Sequence, residues 1–147
     1  MKSMMGFVFF LLFLAGFALV MLQGRQMSQL GGSGAEVTGI SWRPVKIGAE
    51  SIPEDSGIYI LFEVDGSISG HGGCNRFSGS LAQSDSGIAV GQLASTRMAC
   101  SDEIMNREIA FMEAVQQTAD FSSDGNRMSL LDSEGNALAA FVPGGGD

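Results

Sequence analysis

Apolar and polar residues alternate along most of the chain beyond residue 39, in short segments separated by glycine-containing turns. A period of two is typical of strands that bury one face. The pattern predicts about eight short antiparallel strands, the first at residues 40–47 and the last at residues 137–142. Asp65-Gly66 is a strong signal for a hairpin turn, and the glycine-rich residues 71–73 are expected to interrupt the pattern. Such strands favour a small antiparallel β-barrel.

The region between residues 102 and 117 follows a different period. It contains no Gly or Pro, and its apolar residues recur with the spacing of a helix. We therefore predict one α-helix, with Asp102 as its N-cap, packed across the barrel. The arc expected to face the sheet is formed by Ile104, Met105, Ile109, Phe111, Met112 and Val115. The fold class that follows is mainly β with one helix.

Glu108 lies inside this apolar arc, where a carboxylate is costly unless it is paired or reaches water. Three interpretations stay open. The side chain bends out to water at the rim of the barrel, it forms a structural pair with Arg97 in the loop that leads into the helix, or it is a catalytic carboxylate. The last interpretation requires partner groups that the neighbouring sequence does not offer.

The N-terminal region has a third pattern, because residues 4–22 contain no charged or strongly polar side chain. A helix of that length spans about 28 Å, close to the thickness of a bilayer core. The segment predicts a transmembrane signal anchor. A cleaved signal peptide is the main alternative, since residues 16–18 offer a small-x-small site, and a buried core helix is the third.

This segment sets the predicted organisation of the chain. We expect a signal anchor or signal peptide at 1–24, a flexible Gly/Ser tether at 25–38, a folded domain at 39–143 and a disordered tail at 144–147. Lys2 favours an N-terminus in the cytoplasm by the positive-inside rule. The expected location is therefore the inner membrane, single-pass, with the C-terminal domain in the periplasm, or the periplasm itself if the signal is cleaved.

The chain is acidic, with 16 Asp and Glu against eight Lys and Arg and a formal net charge of −8. All of the carboxylates follow Arg25, so the acidity belongs to the tether and the folded domain. A surface of this sign repels nucleic acid and anionic lipid. We expect no nucleic-acid partner, and we expect membrane contact through residues 4–22.

Cys74 and Cys100 are the only cysteines of the chain. In an exported domain they are most simply one disulfide, which closes a loop of about 27 residues and stabilises the fold by roughly 3–4 kcal/mol. Two free buried thiols are an alternative. A metal site of His71 with both cysteines, or a Cys74 nucleophile with His71 as its base, also stays open. Neither has the further ligands or the orienting group that such sites need.

Two cysteine-centred motifs carry a family resemblance. Residues 70–79 read Gly-His-Gly-Gly-Cys-Asn-Arg-Phe-Ser-Gly, and residues 93–100 read Leu-Ala-Ser-Thr-Arg-Met-Ala-Cys. Followed by Glu108-x-x-Phe111, this order resembles the META domain, or HslJ-like, family over about residues 40–142.

The resemblance implies a small antiparallel β-barrel with one helix packed across it. Members of the family are typically envelope proteins without an established catalytic activity, and some are linked to heat shock, drug tolerance or secretion. The resemblance also implies structural rather than catalytic roles for the motif residues Gly73, Cys74, Asn75, Thr96, Arg97, Cys100 and Glu108.

From these observations we expect a non-enzymatic, membrane-tethered envelope protein that acts in stress tolerance through contacts with another envelope protein. It is expected to need no catalytic residue, cofactor or metal. A barrel whose interior binds a lipid or an apolar small molecule is the first alternative. A redox or hydrolytic enzyme based on Cys74 is the second.

Overall fold

The computed structural model describes residues 37–84 and 87–144. The predicted anchor and nearly all of the predicted tether precede residue 37 and lie outside the described residues, as does the tail from residue 145. Their predicted bounds stay predictions. Within the described ranges, no helix has the length and apolar character needed to cross a bilayer.

Ten strands and one α-helix make up the described part of the chain. The strands are β1 (Ser41–Ile47), β2 (Glu50–Ser51), β3 (Ile58–Phe62), β4 (Ser67–Gly72), β5 (Arg76–Ser84), β6 (Gly87–Val90), β7 (Ala94–Ser95), β8 (Asp120–Ser123), β9 (Met128–Leu131) and β10 (Ala137–Pro143). The helix α1 (Asp102–Gln116) lies between β7 and β8, and a 3₁₀ turn (Glu54–Ser56) precedes β3. The two-residue strands β2 and β7 are absent from the prediction.

Eight of the strands form an antiparallel sheet that curls into a nearly closed barrel, in the order β6-β5-β4-β3-β1-β10-β9-β8. The strands β2 and β7 pair with β1 and β5, off this path. The outer strands β6 and β8 face each other at a junction that we name the seam. Near it, the Ile88 N–H donates to the Ala119 C=O over 2.8 Å. The predicted mainly β barrel with one helix is confirmed.

Large apolar side chains fill the barrel. Trp42 on β1 and Phe141 on β10 are fully buried, as is Phe111 on the helix. Phe111 packs edge-on against Phe77, with ring centroids 5.7 Å apart, and lies 6.3 Å from Phe141. The indole N–H of Trp42 donates to the Val37 C=O over 2.9 Å, which satisfies the polar atom of that side chain. The centre of the barrel is thus occupied by the protein's own rings.

The helix face that contacts the barrel overlaps the predicted one, since Phe111 and Val115 are buried and Met112 packs against the core, but it is rotated away from Ile109. Its buried residues are Glu108, Phe111, Ala114 and Val115. Ile109, which was expected to face the sheet, is 52% exposed. The face is centred on the row that runs from Glu108 through Phe111 to Val115, because polar contacts draw Glu108 inward. Ser101, not Asp102, occupies the N-cap position.

Strand β4 extends further than predicted. His71 pairs with Tyr59 and Gly72 pairs with Ile58, so both belong to the β3–β4 ladder. The expected interruption at residues 71–73 is therefore wrong for the first two positions. Gly72 has no Cβ, so another group can approach the backbone of the strand closely at this position.

Candidate functional site

The two cysteine motifs meet between the end of β4 and the start of α1. The sulfur atoms of Cys74 and Cys100 form a disulfide, with Cα atoms 6.0 Å apart. The predicted disulfide is confirmed, and the alternative of two free thiols is wrong. Neither sulfur is then a thiolate that could attack a substrate or bind a metal. We name the disulfide, together with Asn75, Thr96 and Glu108, the cysteine junction.

Glu108 lies at the centre of the cysteine junction and is 7% exposed. Its Oε2 accepts hydrogen bonds from the backbone N–H groups of Cys74, over 3.0 Å, and of Asn75, over 2.6 Å. Its Oε1 accepts a third from the Asn75 side-chain amide, over 2.7 Å. These donors replace the water that a buried carboxylate loses. Glu108 therefore fastens the helix to the loop between β4 and β5.

Arg97, the expected partner of Glu108, takes no part in this arrangement. Its side chain is exposed. The ion pairs among the described residues join Arg43 to Glu54, and Arg107 to Glu50 and Glu103. The Arg97 pair and the rim position expected for Glu108 are both wrong, because two consecutive backbone N–H groups form the anion-binding concavity instead. A structural role for Arg97 stays a prediction.

Asn75 extends the cysteine junction to the loop before α1. Its Oδ1 accepts hydrogen bonds from the Thr96 hydroxyl, over 2.9 Å, and from the Met98 N–H, over 2.7 Å. The Thr96 hydroxyl in turn accepts one from the Arg76 N–H, over 3.2 Å. Asn75 is buried, and both polar atoms of its side chain are bonded. The structure thus brings together three predicted motif residues, Asn75, Thr96 and Glu108.

Two glycines make room for these contacts. A Cβ at Gly72 would lie 2.6 Å from both Cγ and Oε2 of Glu108. Only glycine leaves space there for the carboxylate. Gly73 has a φ of +107°, a conformation that residues with a Cβ rarely adopt. The predicted motif residue Gly73 therefore allows the turn that aims the two N–H groups at Glu108.

His71, the only histidine, lies on the outer surface of β4. Its Nδ1 accepts a hydrogen bond from the Gly73 N–H over 3.0 Å, and its ring stacks on Tyr59 with centroids 6.4 Å apart. Among residues 37–84 and 87–144, no three His, Cys, Asp or Glu side chains are grouped to hold a metal. The proposed set of His71 with two cysteines is wrong because the two sulfur atoms are bonded to each other.

A sequence profile of the META domain matches residues 35–143. The chain belongs to the META domain family. The matched range contains both cysteine motifs, the helix and all of the described strands, so the resemblance inferred from the sequence is confirmed. A comparison with curated proteins found no match.

Solved structures share the fold of this META domain. One protein solved by NMR aligns with a TM-score of 0.60 and 20% identity, over 76% of this chain and 95% of its own. A Burkholderia xenovorans protein, also solved by NMR, gives 0.56 and 26%, over 75% and 85%. A DUF4847 family protein from Bacteroides vulgatus ATCC 8482, solved by crystallography, gives 0.52 and 17%, over 74% and 96%. These likenesses support the fold and assign no activity.

A cavity of about 340 Å³ opens beside the seam of the META domain. Its apolar walls come from the β3–β4 hairpin, from β5 and from both strands of the seam, and are formed by Phe62, Val64, Ile68, Leu81, Ile88 and Phe121. Val37 lines it where the described chain begins. Glu63 is the charged side chain among the described lining residues. We name this space the seam cavity.

A second surface lies along α1. A shallow groove of about 360 Å³ is lined by the apolar side chains of Leu93, Ile109 and Met112, with Glu113 beside them. We name it the helix groove. Met98, in the loop before the helix, is also exposed. Ile109 is the exposed large apolar side chain of the groove, and Leu93 and Met112 beside it are half-buried.

Sequence reasoning missed Gly72, the backbone of Met98 and the wall residue Phe121. A signal existed for Gly72, which adjoins the first cysteine motif, but we assigned it to an interruption of the strand. Backbone donors such as the Met98 N–H occur in every residue except proline, so no residue type could have indicated that contact.

Proposed function

We propose that this META domain is a non-enzymatic, membrane-tethered envelope protein that acts in stress tolerance by binding another envelope protein. The observation that carries the proposal is Ile109, a large apolar side chain that is 52% exposed in the helix groove. A single exposed apolar residue is ordinary. Leu93 and Met112 beside it, however, form a continuous apolar surface of the kind that partners cover.

The polar side chains of the cysteine junction are already hydrogen-bonded to groups of the protein, which supports the non-enzymatic part of the proposal. Glu108 borders the helix groove, but both of its oxygens already accept hydrogen bonds from within the junction. Asn75 and Thr96 are likewise bonded to their neighbours. A general acid or base must instead be within reach of a proton on the substrate.

The tether and the compartment are supported by two separate features. Residues 4–22 are long and apolar enough to anchor the chain in a bilayer. A structural disulfide such as Cys74–Cys100 persists in oxidising compartments and is rare in the cytosol. Together they favour a domain that faces the periplasm while its N-terminus stays in the inner membrane.

Photocrosslinking in living cells tests the contact surface. A photoreactive residue is placed at position 109 and, as a matched control, at position 59, because Tyr59 is a large exposed side chain on the barrel wall. We expect a discrete crosslinked species from position 109 alone. Tolerance to heat or to membrane-active drugs should fall in an Ile109→Glu strain but not in a Tyr59→Glu strain that makes the same amount of oxidised protein. Identical adducts from both positions would contradict the proposal.

A second candidate function, binding of an apolar small molecule, is favoured by the seam cavity. The centre of the barrel, where such a ligand was expected, is filled by Trp42, Phe111 and Phe141. The open volume of about 340 Å³ lies beside the seam instead. It falls at the lower end of the usual range for small-molecule sites, about 300–1,000 Å³. Among the described residues, none lines both this cavity and the helix groove, so the two functions can be tested independently.

A further inference from the structure

We propose that the seam cavity binds the alkyl chain of a single-chain amphiphile with a cationic head group, which Glu63 holds at the mouth. The inference rests on the second candidate function and names its ligand class. Three properties of the cavity carry it: a preformed apolar wall, a volume that fits one chain, and a mouth whose charge is negative.

The inner wall of the seam cavity is preformed and apolar. Val37, Phe62 and Ile68 are almost completely buried. The Leu81 N–H donates to the Gly66 C=O over 2.7 Å, which holds β5 against the β3–β4 hairpin behind them. An alkyl chain that enters would displace water from apolar surface without rearranging the strands. That exchange is favourable in proportion to the apolar area covered.

The volume of the seam cavity selects one chain. The volume of about 340 Å³ is at the lower end of the range for small-molecule sites, about 300–1,000 Å³. A cavity of this size suits a single medium-length alkyl chain better than the paired chains of a membrane phospholipid. The ligand class is therefore a single-chain amphiphile rather than an intact bilayer lipid.

The mouth of the seam cavity selects the head-group charge. Glu63 lines it, and no Lys or Arg is found among its described lining residues. Asp65 lies between the lining residues Val64 and Gly66 in the β3–β4 hairpin loop. Ser67 donates two hydrogen bonds to Asp65 Oδ1, which lower the pKa of Asp65 and keep it ionised at neutral pH. An ammonium head group is attracted to these carboxylates, whereas a fatty acid or an alkyl sulfate is repelled.

The six residues directly before Val37 offer no apolar side chain that could occupy the cavity. Residues 31–36, which precede Val37, read Gly-Gly-Ser-Gly-Ala-Glu and contain no large apolar side chain. A second copy of the domain would bring a mouth of the same negative charge against the first, and like charges across an interface are unfavourable. A cationic amphiphile meets both the apolar wall and the charge of the mouth.

Photolabelling tests the site. The full-length protein in phosphatidylcholine vesicles is irradiated with decyltrimethylammonium that carries a diazirine at the end of its chain. We expect adducts at the residues that line the cavity, among them Val64, Leu81 and Ile88. Emission of Trp42, the only tryptophan, should shift in parallel, because its indole is bonded to Val37 in the cavity wall.

Unlabelled competitors test the ligand class. Alkyltrimethylammonium ions from hexyl to dodecyl should compete more strongly by about fourfold per added methylene until the cavity is full. Decyl sulfate should compete about tenfold more weakly than decyltrimethylammonium, because attraction is lost and repulsion gained at an exposed rim. Decyl maltoside, whose head group is uncharged, should compete more strongly than decyl sulfate and more weakly than decyltrimethylammonium.

Matched variants distinguish the contribution of the head-group charge to binding from that of the alkyl chain. Glu63→Gln should weaken competition by the ammonium probes about two- to fivefold at low salt, with no change for decyl maltoside. Glu113→Gln, which removes a carboxylate from the helix groove, should change neither. Leu81→Phe, which occupies the cavity, should lose labelling by every probe while Trp42 emission reports an intact fold.

Three outcomes would overturn the inference. Equal competition by decyl sulfate and decyltrimethylammonium would remove the cationic ligand class and leave the apolar site of the second candidate function. Adducts confined to residues 93–116 would move binding to the helix groove. Absence of labelling by every alkyl probe would remove the second candidate function as well, without affecting the photocrosslink expected from position 109.

Discussion

The cysteine junction and the seam join parts of the same barrel in different ways. At the cysteine junction, two loops and the helix are linked by a disulfide and by three hydrogen bonds to Glu108. At the seam, β6 and β8 face each other without a described ladder. The Ile88 N–H reaches the Ala119 C=O, and the exposed side chain of Gln116 donates to two carbonyl groups at the end of β6.

The difference shows how a small barrel can be rigid in one region and adjustable in another. Buried hydrogen bonds to a charged group are strong, and they fix a single geometry. Exposed amide hydrogen bonds contribute little, because water replaces them readily. The seam cavity lies beside the region that is held less firmly, where a ligand can enter with the least disturbance of packing.

The largest effect is expected at the cysteine junction. Glu108→Ala should lower the free energy of unfolding by about 3–5 kcal/mol, because it leaves the Cys74 N–H, the Asn75 N–H and the Asn75 amide buried without an acceptor. Urea unfolding measures the change. Glu113→Ala, an exposed position on the same helix, should stay within about 0.5 kcal/mol. A decrease of less than about 1 kcal/mol in the free energy of unfolding of Glu108→Ala would show that the cysteine junction is not held more firmly than the seam.

A smaller effect is expected from Gly72→Ala, whose Cβ would lie 2.6 Å from the Glu108 carboxylate. Overpacking of this kind costs about 1–3 kcal/mol. The cost should largely disappear in a Glu108→Ala background, because the group that clashes has been removed. A double-mutant cycle measures this coupling. Additive losses would mean that the glycine is required for another reason.

At the seam, Gln116→Ala should lower the free energy of unfolding by less than about 1 kcal/mol, since its hydrogen bonds are exposed. Its effect should instead be local. Amide hydrogen exchange should accelerate in β6 and β8 and remain unchanged in β4 and β5, because local opening follows the weakest contacts. Uniform acceleration across the domain would show that the seam and the junction open together.

The smallest effect is expected for Arg97→Ala, within about 0.5 kcal/mol, because its exposed side chain lies outside the hydrogen bonds to Glu108. A buried pair with Glu108 would instead have cost about 3–5 kcal/mol on losing its cation. Thermal unfolding of this variant beside Arg43→Ala, which loses an ion pair to Glu54, distinguishes the two expectations.

The barrel and the helix could be predicted because their signals are local. The alternation of apolar residues marks each strand, and the hairpin predicted at Asp65-Gly66 is present. Its loop has three residues, 64–66, rather than the two predicted, because the Glu63 N–H donates to the Ser67 C=O over 2.9 Å and the Gly66 N–H donates to the Glu63 C=O over 3.0 Å. The disulfide followed from the presence of two cysteines in a domain for which we predicted export. These inferences needed no knowledge of which segments meet in space.

The interior of the cysteine junction could not be predicted in this way. The donors to Glu108 are backbone N–H groups 33 and 34 residues away, and nearly every residue type carries such a donor. Sequence reasoning therefore considered Arg97 as the partner of Glu108 on the basis of charge alone. The exposure of Ile109 depends on the rotation of the helix, which these contacts set. The seam cavity depends on how the whole sheet closes, and no local pattern encodes that.

The pairing of β1 with β10 delays closure of the barrel until residue 143 has been synthesised. Trp42 lies opposite Pro143 and Ile47 lies opposite Ala139, so the first strand of the barrel needs the last as its neighbour. Chains are synthesised from the N-terminus at roughly 5–20 residues per second, and β1 must wait until β10 exists. A copy that stops before β10 would keep an open strand edge beside Trp42, and such an edge is a template for pairing with other chains.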